Sequence, residues 1–273
     1  MDLFKVGSNI QSMQALNNLY RLNEKMSVHQ SRLSTGKRVN SAQDDTAGFS
    51  VAKNVETTRQ GYEQAHQNIK NAQSVLSIFE AGQQKQLELL QSLKDKVVQA
   101  QDSTLNTDQR QAILNSVTAL KNELADVAAQ MTFNGSAIAS GAGTASTFRV
   151  GSGTASSDSF AVTSTVISAA ASVSVASTSA TASAVDITTV QTLIDTTLNR
   201  IANTGSAIER LKHKEDIVAV QVQNHEAVRS TYEDADFAKE QMELMKVQIL
   251  QQTATAALAQ ANSAPQLVLS MFR

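Results

Sequence analysis

Apolar residues recur every three or four positions along most of this chain, and the clearest stripes lie at its two ends. Val6, Ile10, Met13, Leu16, Tyr20, Met26 and Leu33 form one set. Phe237, Leu244, Val247, Leu250, Ala254, Leu258 and Ala261 form another. Steps of three and four place each set on one helix face. A face of this kind needs a second surface to cover it, or it associates. Two such helices, more than 200 residues apart in sequence, predict a subunit whose ends pair with each other and with copies of itself.

Between the ends, the pattern predicts three further helices. The first, about 46–100, carries Tyr62, Ala65, Ile69, Ala72, Leu76, Phe79, Leu90, Leu93, Val97 and Ala100, with Gln83 and Gln86 or Leu87 on the same stripe. The repeat is interrupted at Gly82 to Gln86. A period near 3.5 over this length argues for coiled-coil packing, and a rise of 1.5 Å per residue gives a length of roughly 80 Å. The second, about 108–131, places Ile113, Val117, Leu120, Leu124, Val127 and Met131 on one face. The third, about 188–229, presents Ile194, Leu198, Ile201, Gly205, Ile208, Leu211 or Lys212, Glu215, Val218 or Ala219, and Val222. A weak point near Ser230 separates it from the last helix, about 233–262, and the opening helix covers about 5–33.

The connections carry their own signals. LSTGKRVNSAQDDTAG (33–48) is a structured loop by composition, with capping-box spacing from Ser41 to Asp44 and Asp44 or Asp45 as the cap of the next helix. Asn106 and Thr107 are cap candidates before the 108–131 helix, and Asn134-Gly135 marks a turn. Residues 136–186 change character to Ser, Thr, Ala, Gly and Val, almost without charge. Phe148-Arg149-Val150, Phe160-Ala161-Val162 and Val173-Ser174-Val175 alternate with period two, so a small β element competes with a disordered Ser/Thr tract.

The expected fold is mainly α. It is an elongated rod of long antiparallel coiled-coil helices, with paired N- and C-terminal helices and a small β element in the middle. The expected divisions are 1–40 with 232–273 as the terminal pair, 41–140 with 188–231 as the rod, and 141–187 as a short Ser/Thr-rich β-hairpin region.

Composition narrows the function. Aromatics make up only 4% and Trp is absent, against the bulky cores usual in compact enzymes. Pro265 is the single proline, so nearly the whole chain lacks the commonest helix breaker. The net charge of −2 comes from mixed signs, with no basic arm for nucleic acid. No apolar run reaches spanning length, and MDLFKVGSNIQSM lacks the apolar region of a secretory signal. With no Cys, disulfides and thiolate metal sites are excluded.

No constellation points to an enzyme, a cofactor or a metal. His29, His66, His213 and His225 do not form metal-ligand spacing and suit helix surfaces. Asp44 and Asp45 suit capping better than acid–base work. Gly141-Ala-Gly143 and Gly151-Ser-Gly153 lack the Lys-Ser/Thr ending of a phosphate loop. The polar sides of the terminal stripes are rich in Gln, Asn and Thr, which favours protein contact over membrane insertion. Asn134-Gly135-Ser136 spells an N-glycosylation pattern but suits a turn. Ser156, Ser157, Ser159 and Thr163 are candidate O-glycan acceptors, weighed evenly against a plain solvated surface.

Several of these segments together resemble bacterial flagellins. LSTGKRVNSAQDDTAGFSVA (33–52) resembles the family's segment between inner and outer rods. FNG (133–135) and FRVGSGTASSDSFAV (148–162) are similar to the end of its N-terminal half and the adjoining hairpin. EDADFAKE (233–240), QILQQTATAALAQAN (248–262) and PQLVLSMFR (265–273) resemble its C-terminal signature. The match covers roughly 1–150 and 188–273. It implies a subunit of the helical filament that drives bacterial swimming, extracellular and secreted without a cleavable signal peptide. The filament-core residues are then Val6, Ile10, Met13, Leu16, Phe237, Leu244, Val247, Leu250, Ala254 and Leu258. The rod residues are Ile69, Leu76, Phe79, Leu90, Val97, Ile113, Val117, Leu120, Leu124, Ile201 and Ile208. Implied partners are copies of the chain, the flagellar export apparatus, a flagellin chaperone, and the hook-associated junction and cap proteins.

The chain also departs from the family pattern. Its middle region is short. Where many flagellins carry arginine-valine-arginine-glutamate-leucine for a Toll-like receptor, the matching residues are Ser92, Leu93, Lys94, Asp95 and Lys96, which predicts a poor receptor ligand. A hook–filament junction protein is the nearest alternative reading, and a membrane-inserting helical toxin or translocator is a more distant one.

Overall fold

The computed structural model describes residues 9–138, 144–164 and 187–271, with side chains described except at 144–145, 163–164 and 264–271. Helix α1 spans Ile10–Thr35. Its start is fixed by Asn9, whose Oδ1 accepts the Ser12 N–H at 3.0 Å. Its end is fixed by Gly36, at φ +70°, whose N–H donates to the Arg32 carbonyl at 2.8 Å. The left-handed backbone there suits glycine, which has no Cβ to clash.

Helix α2 spans Thr46–Ala100. Asp45 is its cap, accepting the Gly48 N–H at 2.9 Å. The capping box expected from Ser41 to Asp44 does not form there. Asp44 closes a turn ahead of the helix instead, accepting the N–H groups of Asn40 at 3.0 Å and Ser41 at 2.9 Å. These bonds hold its carboxyl below the usual value. Helix α3 spans Thr107–Gln130 and opens on a capping box between Asn106 and Gln109. Strands β1 (Thr132–Phe133) and β2 (Ser136–Ala137) form a minimal hairpin around Asn134 and Gly135, both at positive φ.

Strand β3 spans Thr144–Arg149. A short 3₁₀ turn at Ser156–Asp158 follows, then β4, Ser159–Ser164. The two strands pair antiparallel, with Phe148 opposite Phe160. The expected β element is therefore present over 144–164, while Val173-Ser174-Val175 lies outside the described residues.

Helix α4 spans Ile187–Glu233 and α5 spans Phe237–Met271. The break falls at 234–236, later than expected. Ser230 stays helical because its carbonyl still accepts an N–H, from Asp234 at 3.0 Å. Asp236 then caps α5 by accepting from Ala238 and Lys239. The last helix also runs beyond 262, its backbone staying helical through Pro265.

The chain divides into two compact units. One combines Met1–Thr57 with Asn224–Arg273, and the other is Thr58–Gln223. In the second unit α2 and α4 run antiparallel, because contacts move down α4 as they move up α2: Gln73 meets Glu215, Gln83 meets Thr204, and Lys94 meets Gln191. One core cluster joins Leu90, Leu93 and Val97 to Val117 and Leu124 of α3 and to Val190 and Ile194 of α4. A second joins Ala65, Ile69, Ala72 and Leu76 to Ala207, Leu211 and Val218 and to Val150 and Phe160 of the hairpin region. A third gathers Val75, Phe79, Met131 and Ile138. The hairpin is thus part of the core.

Candidate functional site

The terminal helices α1 and α5 pack against each other. Ala15, Leu19, Leu22 and Met26 are half-buried on α1, as are Leu244, Ala254, Leu258 and Ala261 on α5, and Val247 is buried. Polar cross-links set the register. Asn9 Nδ2 donates to the Ala261 carbonyl at 2.8 Å, Gln251 Nε2 to Asn23 Oδ1 at 2.7 Å, and His29 Nδ1 lies 2.5 Å from Glu240 Oε2. Numbers rise on α1 as they fall on α5, so this pair is antiparallel.

The two connecting segments of this unit also pair. Arg38 N–H donates to the Glu233 carbonyl at 2.6 Å, and Ala235 N–H to the Gly36 carbonyl at 2.9 Å. Two buried carboxylates secure the pairing. Glu233 receives Lys37 Nζ at 2.5 Å and Arg229 Nη1 at 2.8 Å. Glu240 receives His29 and, at 3.3 Å, Arg32. Burial pushes both carboxyls up, but the hydrogen bonds and charges of these partners outweigh it, and both sit below the ordinary carboxylate value. Neither cluster was foreseen from sequence. The signal available was a base on α1 or its loop matched to an acid at the mirror position of the C-terminal segment.

The expected terminal stripes divide between two faces. Leu244, Val247, Ala254 and Leu258 lie in the α1–α5 seam. Ile10, Met13, Leu16 and Tyr20 do not; Met13 and Tyr20 are each 64% exposed. Phe237 and Leu250 are exposed as well. Val6 lies outside the described residues. The seam on α1 is instead Ser12, Ala15, Leu19, Leu22, Met26 and His29; Met26 belongs to the expected stripe, and the other five are a weaker-looking set that sequence reasoning missed. A further exposed row on α5, Met242, Met245 and Ile249, was missed too, though its spacing of three and four is legible. Each terminal helix therefore has a covered apolar face and an uncovered one.

The second unit covers its own stripes. Ile69, Leu76, Phe79, Leu90, Val97, Val117 and Leu124 are buried, and Ile113, Leu120, Ile201 and Ile208 are half-buried. Leu198, placed on the inward face of α4 by spacing, is exposed, and Thr197 is buried in its stead with Oγ1 bonded to the Leu193 carbonyl at 2.8 Å. Ser156 and Ser157 are exposed on the 3₁₀ turn. Ser159 is half-buried and donates to the Ser156 carbonyl at 2.8 Å, while the Thr163 side chain lies outside the described set. A groove of about 600 Å³ between α2 and α4 is lined largely by glutamines, with His66 and Glu63. His66 Nε2 lies 3.4 Å from Glu215. Among the described residues no group of three His, Asp or Glu could share a metal, and no helix is long and apolar enough to cross a membrane.

Long helices, terminal helices paired across the chain, and apolar faces left open at both ends define a self-assembling structural subunit. The family comparisons agree. The model of the bacterial flagellin N-terminal helical region matches residues 6–144, and that of the C-terminal helical region matches 187–272. Flagellin FljK of Caulobacter vibrioides is 31% identical over the full length of both chains. The flagellar filament 33 kDa core protein of Treponema phagedenis is 28% identical over 98% of this chain and 99% of its own. The flagellin of Bacillus subtilis is 26% identical over 98% of this chain and 100% of its own. The chain belongs to the bacterial flagellin family. It is a structural subunit of the flagellar filament, the extracellular assembly formed by this family, and nothing favours the hook–junction reading.

Proposed function

We propose that the two faces of the terminal helices divide the work of assembly. The inner faces, with Leu244, Val247, Ala254 and Leu258 against α1, hold one subunit's ends together. The outer faces, Ile10, Met13, Leu16 and Tyr20 on α1 with Phe237, Met242, Met245, Ile249 and Leu250 on α5, are covered by neighbouring copies and form the filament core. The observation that carries this reading is the exposure of large apolar side chains in rows at helical spacing, in a chain whose family builds a polymer. Repeated head-to-tail contacts of this type generate an open helix rather than a closed ring.

In this reading 1–40 and 232–273 are the filament-core segments, 41–140 and 188–231 the supporting outer helices, and 141–187 a variable surface region. Ile69, Leu76, Phe79, Leu90, Val97, Ile113, Val117, Leu120, Leu124, Ile201 and Ile208 hold those outer helices together. The chain works without catalysis. It leaves the cell through the flagellar export apparatus without a cleavable signal peptide, after a cytoplasmic chaperone has shielded its C-terminal segment. It meets the junction and cap proteins at the filament ends. Ser156 and Ser157, being exposed, are the favoured O-glycan acceptors over Ser159 and Thr163. Leu93 is buried and Lys94 Nζ is bonded to Gln191 at 2.7 Å, which supports weak recognition by the Toll-like receptor.

The test is seeded polymerisation of purified chain, followed by sedimentation and negative-stain electron microscopy. Wild type forms long uniform tubes, while Ile249→Asp remains monomeric with an unchanged far-UV circular dichroism spectrum. Normal tubes from Ile249→Asp would refute the assignment of the outer face.

A further inference from the structure

The apolar stripe of α2 is broken by two glutamines that face inward. Gln83 is 2% exposed and Gln86 is 1% exposed. Gln83 Oε1 accepts from Thr204 Oγ1 of α4 at 3.1 Å. Gln86 lies one turn further along α2, and Arg200 lies one turn back from Thr204 along α4. The helices are antiparallel, so the two steps run the same way and bring Gln86 and Arg200 to one level. At this layer Gln83 Nε2, Gln86 Nε2 and Arg200 Nη1 are all buried with no hydrogen-bond partner among the described residues.

The unmet atoms share one chemistry: all three are N–H donors. Leaving a buried donor unmet costs about 1–3 kcal/mol, more for a charged group, so three together call for an acceptor. A single water accepts at most two hydrogen bonds and must itself donate, so one water cannot meet all three donors. An anion accepts without donating. Its charge would also balance Arg200, which forms no ion pair among the described residues. Burial holds that guanidinium below its ordinary value, with no carboxylate offsetting the effect.

We propose that the Gln83–Gln86–Arg200 layer inside the α2–α4 core binds a small monovalent inorganic anion of the halide class. The ion ties α2 to α4 where their apolar seam is interrupted, and anion supply then tunes the stability of this unit. The proposal concerns the folded single chain and does not depend on how copies assemble.

The test uses the full chain as monomer, with chloride as the probe. Thermal unfolding is followed at constant ionic strength while gluconate is exchanged for chloride, and ³⁵Cl NMR line broadening is measured in parallel. Wild type should gain about 3–5 °C in Tm in a saturable way, with line broadening that bromide competes away. Gln86→Leu restores an apolar seam position and keeps the fold, and Arg200→Met removes the charge. Both variants should lose the chloride-specific gain and most of the broadening, whatever their absolute Tm. Equal wild-type Tm in gluconate and chloride, with no broadening, would overturn the proposal and leave a layer satisfied by water and amide pairing. A chloride gain that persists undiminished in both variants would overturn it as well, placing the ion elsewhere.

Discussion

The helices of the Thr58–Gln223 unit and those of the terminal unit follow the same heptad logic, yet they bury their side chains very differently. In the first, Ile69, Leu90, Val117, Val190 and Leu211 are fully enclosed by three helices and a hairpin. In the second, α1 has no buried residue, and among the described side chains of α5 the buried apolar one is Val247. One unit completes its core within the chain. The other makes a two-helix seam and leaves a second apolar face on each helix. Two helices side by side cannot enclose a stripe as three elements can, so the remaining area stays available to copies of the chain.

The comparison can be broken by substitution, and the largest effect belongs to the closed core. Phe79→Ala should cost about 3–5 kcal/mol in urea unfolding of the monomer, because it opens a cavity in a site with few routes to collapse. A loss below about 1 kcal/mol would mean that the Phe79 cluster is not packed as described. Next comes the seam: Val247→Asp puts an unpaired charge at a buried position in a two-helix contact. Because solvent lies close by, about 2 kcal/mol is expected there, less than for a fully enclosed charge. The variant should release α1 from α5 to proteolysis while the Thr58–Gln223 unit stays intact.

Acid supplies a third, smaller effect. Glu233 and Glu240 both titrate below the ordinary glutamate value of 4.5 in the folded chain. A depressed folded pKa means stability that is fully present above 4.5 and lost as the pH falls through the folded value. The terminal pair should therefore loosen below about pH 4.5 while the Thr58–Gln223 core holds to lower pH. In Glu240→Gln this acid-induced step should shrink, read by helix loss against pH; an identical acid profile would show that the carboxylate is not the trigger. The smallest effect on the monomer is at the open face. Ile249→Ser should change monomer stability by less than about 0.5 kcal/mol, yet raise the critical concentration for polymerisation at least about tenfold, as about 1.4 kcal/mol per contact requires.

Periodicity made the enclosed unit almost fully legible. Every position of the α2 stripe from Ala65 to Ala100 points inward, including Gln83 and Gln86, because a long helix between two neighbours has one choice of face. It failed at Leu198, where the larger apolar residue stays exposed and Thr197 satisfies its hydroxyl on its own helix. The terminal helices were harder. Apolar residues occur there on two sides, and hydrophobicity ranks the faces without saying which one a single chain covers. On α1 the more apolar row, Ile10 to Tyr20, is the one left open, while Ser12, Ala15 and His29 join the seam. Arg229 and Glu233 stand at local helical spacing, but the clusters around Glu233 and Glu240 stayed hidden because Lys37 and His29 are some 200 residues away in sequence, beyond the reach of such spacing.

Amide hydrogen exchange, read segment by segment on monomer and on assembled filament, tests this contrast most directly. Amides of α1 and α5 should exchange readily in the monomer and slow by about 100-fold or more on assembly, while those around Ile69–Leu76 are already protected and change little. Strong protection of α1 and α5 in the monomer, with no further gain in the filament, would contradict the claim that the ends of this chain are completed by its neighbours.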